Sequence, residues 1–249
     1  PRVAPAEFHE LYDPAKLTLS KNFLPRHPFD IGVADIRDEK LAAVPRAEAE
    51  MRRHLADYYA CITALDHELG RVLDAVKAAG QLDNTVVVFT SDQGLAVGGR
   101  HGLMGKQNLY EHFKSPLVVA GPGIPKGKSD ALVYLFDLFP TLCDLAGAAT
   151  PEEAEGKSLL PVVLGKEPKV RDRLFAAYKD VQRMARVGDW KLMWYPKAGR
   201  FQLFDLAADP DEIKDLAASP DHAAKLRELR AVLAAEQKAW GDSLPPPAE

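Results

Sequence analysis

Apolar residues recur at three- and four-residue spacing between Ala47 and Ala79: Leu55, Tyr58, Tyr59, Ile62, Leu65, Leu69, Val72, Leu73 and Val76. That period predicts one long helix with a single buried stripe. Gly80 supplies the stop, as a glycine just past the last helical turn does. The pattern then changes. "LDNTVVVFTSD" is a turn followed by an apolar run without alternation, which predicts a short strand covered on both faces. "SPLVVAGPGIP" predicts a second buried strand over Pro116–Ala120, ended by a Gly/Pro turn. A further helix is predicted over Leu135–Ala146, ended by Gly147, with Pro140 tolerable in its first turn or at a kink. Helix, turn and buried strand in that order are the grammar of the α/β class.

From Pro151 the texture differs. "RLFAAYKD", "QRMARVGDWKLMWYP" and "RFQLFDLAADP" predict short strands separated by turn residues, a small antiparallel sheet. "SPDHAAKLRELRAVLAAEQKAW" predicts a terminal amphipathic helix with Ser219 as N-cap, Pro220 at its first position and Asp221 in its first turn. The first 45 residues are predicted to be mostly irregular, since proline recurs there at positions 1, 5, 14, 25, 28 and 45. The tail "LPPPAE" is expected to fray. The chain therefore divides into an α/β part over residues 1–165 and a smaller α+β part with a terminal helix over residues 166–249.

Composition narrows the function classes. The 249 residues are 47% hydrophobic and 27% charged, ordinary for a globular protein long enough to bury a core. A net charge of −4 without a long run of one sign gives no nucleic-acid footprint. No apolar stretch approaches the roughly 20 residues a membrane-spanning helix needs. Cys61 and Cys143 sit in apolar helical patterns without a C-x-x-C partner, and both read as buried small hydrophobes. The opening "PRVAPAEFHELYDP" has no initiator Met, basic n-region or apolar h-region, and reads as the middle of a longer protein.

The candidate chemistry lies in "VVVFTSDQGLAVGGRHGLMGKQNLYE". Function in open α/β sheets gathers at the carboxyl ends of strands, and Asp92 and Gln93 sit at such an end. A buried aspartate needs a cation, a metal or several donors. Asp92 either caps the next turn or, with the amide oxygen of Gln93, offers hard ligands suited to Ca²⁺ or Mg²⁺. Arg100, His101 and Lys106 follow on a glycine-rich loop. They are poor ligands for a hard cation and good donors to an anionic substrate. His101 alternatively braces the loop, and Lys106 is alternatively a solvated lysine. The combination points to a phosphate or sulfate oxyanion, with Glu111 expected to orient Lys106 through a salt bridge.

These residues resemble the C-terminal half of type I sulfatases of the alkaline-phosphatase-like superfamily. The resemblance extends to "DYYACITALDHELGRVLDAV", "LFDLFPTLCDLAG", "GKSLLPVVLG" and "LFDLAADPDEIKDLA", which are similar to segments of bacterial iduronate- and choline-sulfatase-type enzymes. It implies part of an alkaline-phosphatase-like mixed sheet flanked by helices, followed by a small α+β subdomain. It also implies that Asp92 and Gln93 hold a divalent cation, Ca²⁺ with Mg²⁺ as the alternative. Lys106 then contacts the sulfate and its leaving oxygen, and His101 lies near the substrate. The family's E-H-G element reads Arg100-His101-Gly102 here, which makes Arg100 a further candidate substrate contact. The family's C-x-P-S-R or S-x-P-x-R motif is absent, so the formylglycine nucleophile is expected in an N-terminal half of the same protein. The chain alone is then expected to be inactive. The segment "AYKDVQRMARVGDWKLMWYP" corresponds to the subdomain bordering the family's pocket. Lys179, Gln182 and Arg183 are its candidate substrate contacts, a solvated hairpin being the alternative. The implied substrate is a sulfated small molecule or glycan, and the implied location periplasmic or secreted. Phosphodiesterase or phosphonate monoester hydrolase activity, and a non-catalytic binding module, are the competing readings.

Overall fold

A computed structural model describes residues 3–32, 35–106 and 108–245; the last four residues of the proline-rich tail, expected to fray, lie outside them. Helix α1, Ala6–His9, is a single turn in the proline-rich opening. Helix α2 runs Glu48–Ala78, within one residue of its predicted limits. Glu48 and Glu50 lie in its first turn, where carboxylates oppose the positive end of the helix dipole. At its other end Gly80 takes φ +65°, and the N–H groups of Gly80 and Gln81 bond the carbonyls of Lys77 and Val76.

The single buried stripe expected along α2 stops after its first turns. Met51, Leu55, Ala56 and Ala60 are buried, whereas Leu65 and Val72 are each 59% exposed. Strand β1, Val87–Thr90, pairs antiparallel with β2, Leu117–Ala120, in the register Val87↔Ala120 and Thr90↔Leu117. Neither strand is covered on both faces as expected: β1 is half-buried throughout and Val118 is exposed. Gly121 closes this ribbon, because a Cβ there would stand 2.8 Å from the Thr85 carbonyl oxygen. Helix α3, Leu138–Ala146, carries Pro140 in its first turn, where no intrahelical N–H bond is lost, and Gly147 at φ +67° ends it. Leu135, Phe136, Phe139 and Leu142 are exposed along this segment. Helix α4 is the short turn Leu160–Val163.

The C-terminal strands form a four-stranded antiparallel meander, β3 Arg173–Tyr178, β4 Gln182–Val187, β5 Trp190–Tyr195 and β6 Arg200–Asp205, in sequence order. Helix α5, Ala223–Ala239, packs on one face. Alternation along the strands separates two cores. Ala185, Leu192 and Leu203 meet Leu229 and Leu233 of α5. Met184, Met193 and Phe204 meet Ala96, Leu103, Leu109 and Tyr110 of the glycine-rich segment on the other face. Residues on both sides of position 165 thus share one apolar cluster. Asp137, at the start of α3, is fully buried and bonded by the backbone N–H groups of Tyr134 and Lys157 and by both terminal nitrogens of Arg171.

Two smaller expectations differ from the structure. Ser219, Pro220 and Asp221 take the predicted N-cap, first and first-turn positions, but of a 3-10 turn, Pro220–His222, that leads into α5, and the Ser219 hydroxyl lies 3.0 Å from His222 Nδ1 and caps no backbone N–H. Cys61 and Cys143 are free thiols and half-buried, not buried.

Candidate active site

Strand β1 ends at Thr90, and the chain enters a closed loop. Gly94 N–H bonds the His112 carbonyl at 3.0 Å, and a side chain at Gly94 would collide with that oxygen at 2.6 Å. Ala96 N–H bonds the Gly105 carbonyl at 3.0 Å, bringing the two limbs of the loop together. This closure sets Lys106 beside the strand end. Its Nζ lies 2.7 Å from Asp92 Oδ2, with the lysine side chain 35% and the aspartate 65% exposed. An ammonium and a carboxylate therefore reach solvent together.

Glu111 does not orient Lys106. Its Oε2 lies 2.7 Å from His101 Nε2, and its Oε1 accepts from Asn22 Nδ2 at 2.7 Å and Arg100 Nη1 at 3.1 Å. The reason is stacking: the Tyr110 ring lies flat on His101, with centroids 3.8 Å apart and planes 11° apart, so the next residue reaches the imidazole. His101 is buried and takes φ +52°, its N–H bonded to the Asn22 carbonyl. Burial resists ionisation of Glu111. Hydrogen bonding from His101 and the proximity of His101 and His112 outweigh it and hold the carboxyl far below its usual range. Burial pushes the His112 pKa down, with Glu111 pulling the other way. Its Nδ1 stands 3.7 Å from Glu111 Oε1, outside hydrogen-bond reach and inside Coulombic range.

Asn22 is the member of this cluster that the sequence did not reveal. It donates to Glu111 and to the Asp211 carbonyl and lies 3.0 Å from His101 Nε2. A lone asparagine in an irregular stretch carries no periodic or motif signal. Behind the stack, Tyr110 Oη donates to Gln202 and lies 2.9 Å from His27 Nε2, tying the loop to β6.

The three C-terminal candidates separate. Lys179 is exposed in the β3–β4 turn at φ +44°, with its ammonium 5.6 Å from the centre of the Tyr178 ring. Gln182 and Arg183 are buried, and the fold uses their polar atoms. Gln182 Oε1 accepts from Leu109 N–H. Arg183 grips Asp242 at 2.5 and 2.8 Å and donates to the Lys179 carbonyl. The alternation of β4 turns both side chains toward neighbours that lie far away in sequence. Arg183 in turn lowers the Asp242 pKa to about 2.

The donor chemistry of Asp92 and Gln93 fits part of a hard-cation site. Both present oxygen, and the Lys106 ammonium already takes an Asp92 oxygen. Ca²⁺ takes about 6–8 oxygen ligands. Among the described residues no group of three or more His, Cys, Asp or Glu is placed to hold a metal. Two open concavities, of about 340 and 720 Å³, lie elsewhere. The first is lined by Tyr134, Lys157, Arg173 and Trp240, the second by Lys128, Lys166 and Lys169, and neither includes the loop residues.

Against known proteins, residues 7–148 match the sulfatase family model, and residues 99–239 match that of the C-terminal region of N-sulphoglucosamine sulphohydrolase. The chain belongs to the sulfatase family, and its fold is of the alkaline-phosphatase-like type. It is 31% identical over 228 residues to an N-acetylglucosamine-6-O-sulfatase of Bacteroides thetaiotaomicron, covering 86% of this chain and 41% of that protein. A structure solved with its substrate, D-glucosamine-2-N,6-O-disulfate, superposes with a TM-score of 0.71 at 30% identity, over 82% of this chain and 45% of the other. The phosphonate monoester hydrolase of Silicibacter pomeroyi superposes with a TM-score of 0.78 at 26% identity, over 96% and 54%. The chain thus spans less than half the length of the curated relative it matches.

Proposed function

We propose that this chain is the C-terminal part of a sulfuric ester hydrolase acting on sulfated carbohydrate. The observation that carries this reading is the Asp92–Lys106 pair, presented to solvent at the end of β1 in a chain of the sulfatase family. Asp92 and Gln93 contribute oxygen ligands for a divalent cation, Ca²⁺ or Mg²⁺. That ion, when bound, polarises the sulfuryl oxygens and lowers the pKa of a nucleophile. Lys106 exchanges its Asp92 contact for the sulfate and donates to oxygens that gain charge in the transition state. His101 holds the loop floor through Glu111 and Tyr110, and Arg100 lies at its partly exposed edge. An N-acetylglucosamine-6-O-sulfatase among the relatives, and a matched structure that holds D-glucosamine-2-N,6-O-disulfate as its substrate, support the carbohydrate class. The formylglycine nucleophile and the remaining cation ligands belong, in this proposal, to a preceding half that packs on the exposed apolar faces of α2, β2 and α3.

The fit to a phosphonate monoester hydrolase favours a second reading, in which the same cation and lysine serve a phosphoryl group. Steady-state assays of the complete protein with paired sulfate and phosphonate esters decide between the two. Sulfate-ester turnover is expected to dominate, and Lys106→Ala is expected to lower its kcat/KM by about 10²–10³-fold. The surface-type pair with Asp92 contributes at most about 1 kcal/mol to stability, so the variant should melt like the wild type. Turnover by the 249-residue chain alone, or an unaltered kcat/KM in Lys106→Ala, would overturn the proposal.

A further inference from the structure

Lys106 extends from a backbone stretch gripped by a buried ion pair that lies more than 55 positions earlier in the chain. Glu39, in the 3-10 turn Glu39–Leu41, is 6% exposed. Its Oε1 accepts from Met104 N–H at 3.1 Å and Gly105 N–H at 2.7 Å. Its Oε2 accepts from Met104 N–H at 3.2 Å and from Arg46 Nη2 at 2.5 Å. The Arg46 side chain, 1% exposed, donates Nε–H to the Gly102 carbonyl at 3.3 Å and Nη1–H to the carbonyls of Glu39 and Ala42. Gly102 is pressed against the chain at Arg26–His27, where a Cβ would stand 2.2 Å from His27 N. Asn108 Nδ2 and Ala96 N–H both bond the Gly105 carbonyl. Gly105, the residue preceding Lys106, is thus held at its N–H by Glu39 and at its C=O by two further donors.

A buried ion pair is a weak source of stability, since desolvation offsets most of its Coulombic gain. What this pair does is specify geometry: beyond the ion pair itself, its bonds go to the N–H groups of Met104 and Gly105 and to the carbonyls of Gly102, Glu39 and Ala42. We infer that Glu39 and Arg46 are positioning residues for Lys106. They fix the root of a flexible four-carbon side chain so that its ammonium meets the substrate's anionic oxygens already aligned. A displacement of about 1 Å in such a group lowers a rate by about 100-fold. The inference rests on the reading of Lys106 as the anion-contacting lysine.

Glu39→Gln in the complete protein keeps the shape and one acceptor while removing the charge. It is expected to lower kcat for a sulfate ester by about 10–100-fold with KM within about threefold. In a Lys106→Ala background Glu39→Gln should cause no further fall, because the two changes act through one group. Arg46→Lys, which keeps the charge and loses the fork, should give a smaller loss of the same kind. Independent, multiplying losses in the double variant would overturn the inference, as a merely structural role predicts them. Amide hydrogen exchange without substrate separates the clamp from the reaction. Met104 and Gly105 should be protected in the wild type and exchange at least about 10-fold faster in Glu39→Gln, with the β3–β6 amides unchanged. Free exchange of these two amides in the wild type would overturn the clamp even if the variants failed to fold. Turnover of phosphonate and not sulfate esters, with the amides still protected and kcat still falling, would sink the sulfatase reading and support the clamp.

Discussion

The β1–β2 ribbon and the β3–β6 sheet are both antiparallel and both carry many apolar residues, yet only the second is finished. The sheet alternates strictly, so one set of side chains is covered by α5 and the other by the glycine-rich segment, and Leu192, Met193 and Leu203 have no exposed surface. The ribbon has two strands, a half-buried β1 and an exposed Val118, and α2 and α3 carry exposed apolar residues of their own. Two-stranded ribbons are marginal by themselves, and contiguous apolar patches mark interaction surfaces. The comparison teaches where this chain is self-sufficient. The loop carrying Asp92 and Lys106 leaves the open layer, then lies down on the closed one, and the closed one fixes its geometry.

The largest effect is expected where the start of α3 is tied to the chain entering β3. Arg171→Ala leaves the fully buried Asp137 without its counter-charge and should destabilise the protein by about 3–5 kcal/mol, read from urea unfolding. A loss under about 1 kcal/mol would mean that the buried pair does not tie the α3 segment to the sheet. Next is the closed core. Leu203→Ala should cost about 2–5 kcal/mol in the same measurement.

The third prediction is a pH dependence at His27, which bonds Tyr110 Oη and the Phe29 carbonyl. Burial pushes its pKa down to about 4 from 6.5, against the pull of that carbonyl. The unfolded chain therefore binds this proton first as pH falls. Stability from His27 is complete above about pH 6.5 and is lost as pH drops through about 4, on the order of 3 kcal/mol. Unfolding midpoints across that window should slope less in His27→Gln than in the wild type, and equal slopes would remove His27 as the cause. The smallest effect should come from the open face: Leu65→Ala is expected to change the stability of this chain by no more than about 0.5 kcal/mol. A loss matching that of Leu203→Ala would erase the contrast between the layers.

Much of the local structure was legible. The 3.6-residue period placed α2 within one residue, Gly80 and Gly147 ended their helices, and the texture after Pro151 announced an antiparallel sheet. The loop residues Asp92 and Lys106 stood out by their chemistry and do come together, 14 positions apart. What was not legible involves partners far along the chain. Glu111 chose His101 and Asn22 over Lys106, Gln182 and Arg183 turned inward to Leu109 and Asp242, and Glu39 reached across to Gly105. The stripe of α2 and the run of β1 were correct as patterns, but burial is a property of what lies opposite them.

The sequence by itself therefore determined the elements, their ends and the kind of chemistry the loop offers, because periodicity, glycine φ angles and donor type are set within a few residues. Only the tertiary structure decided which apolar faces are closed, which charges are paired and which lysine faces solvent beside a carboxylate. Those outcomes depend on contacts between segments tens to nearly two hundred positions apart, such as Asn22 with Asp211. Their energies come from burial and pairing that no local window contains.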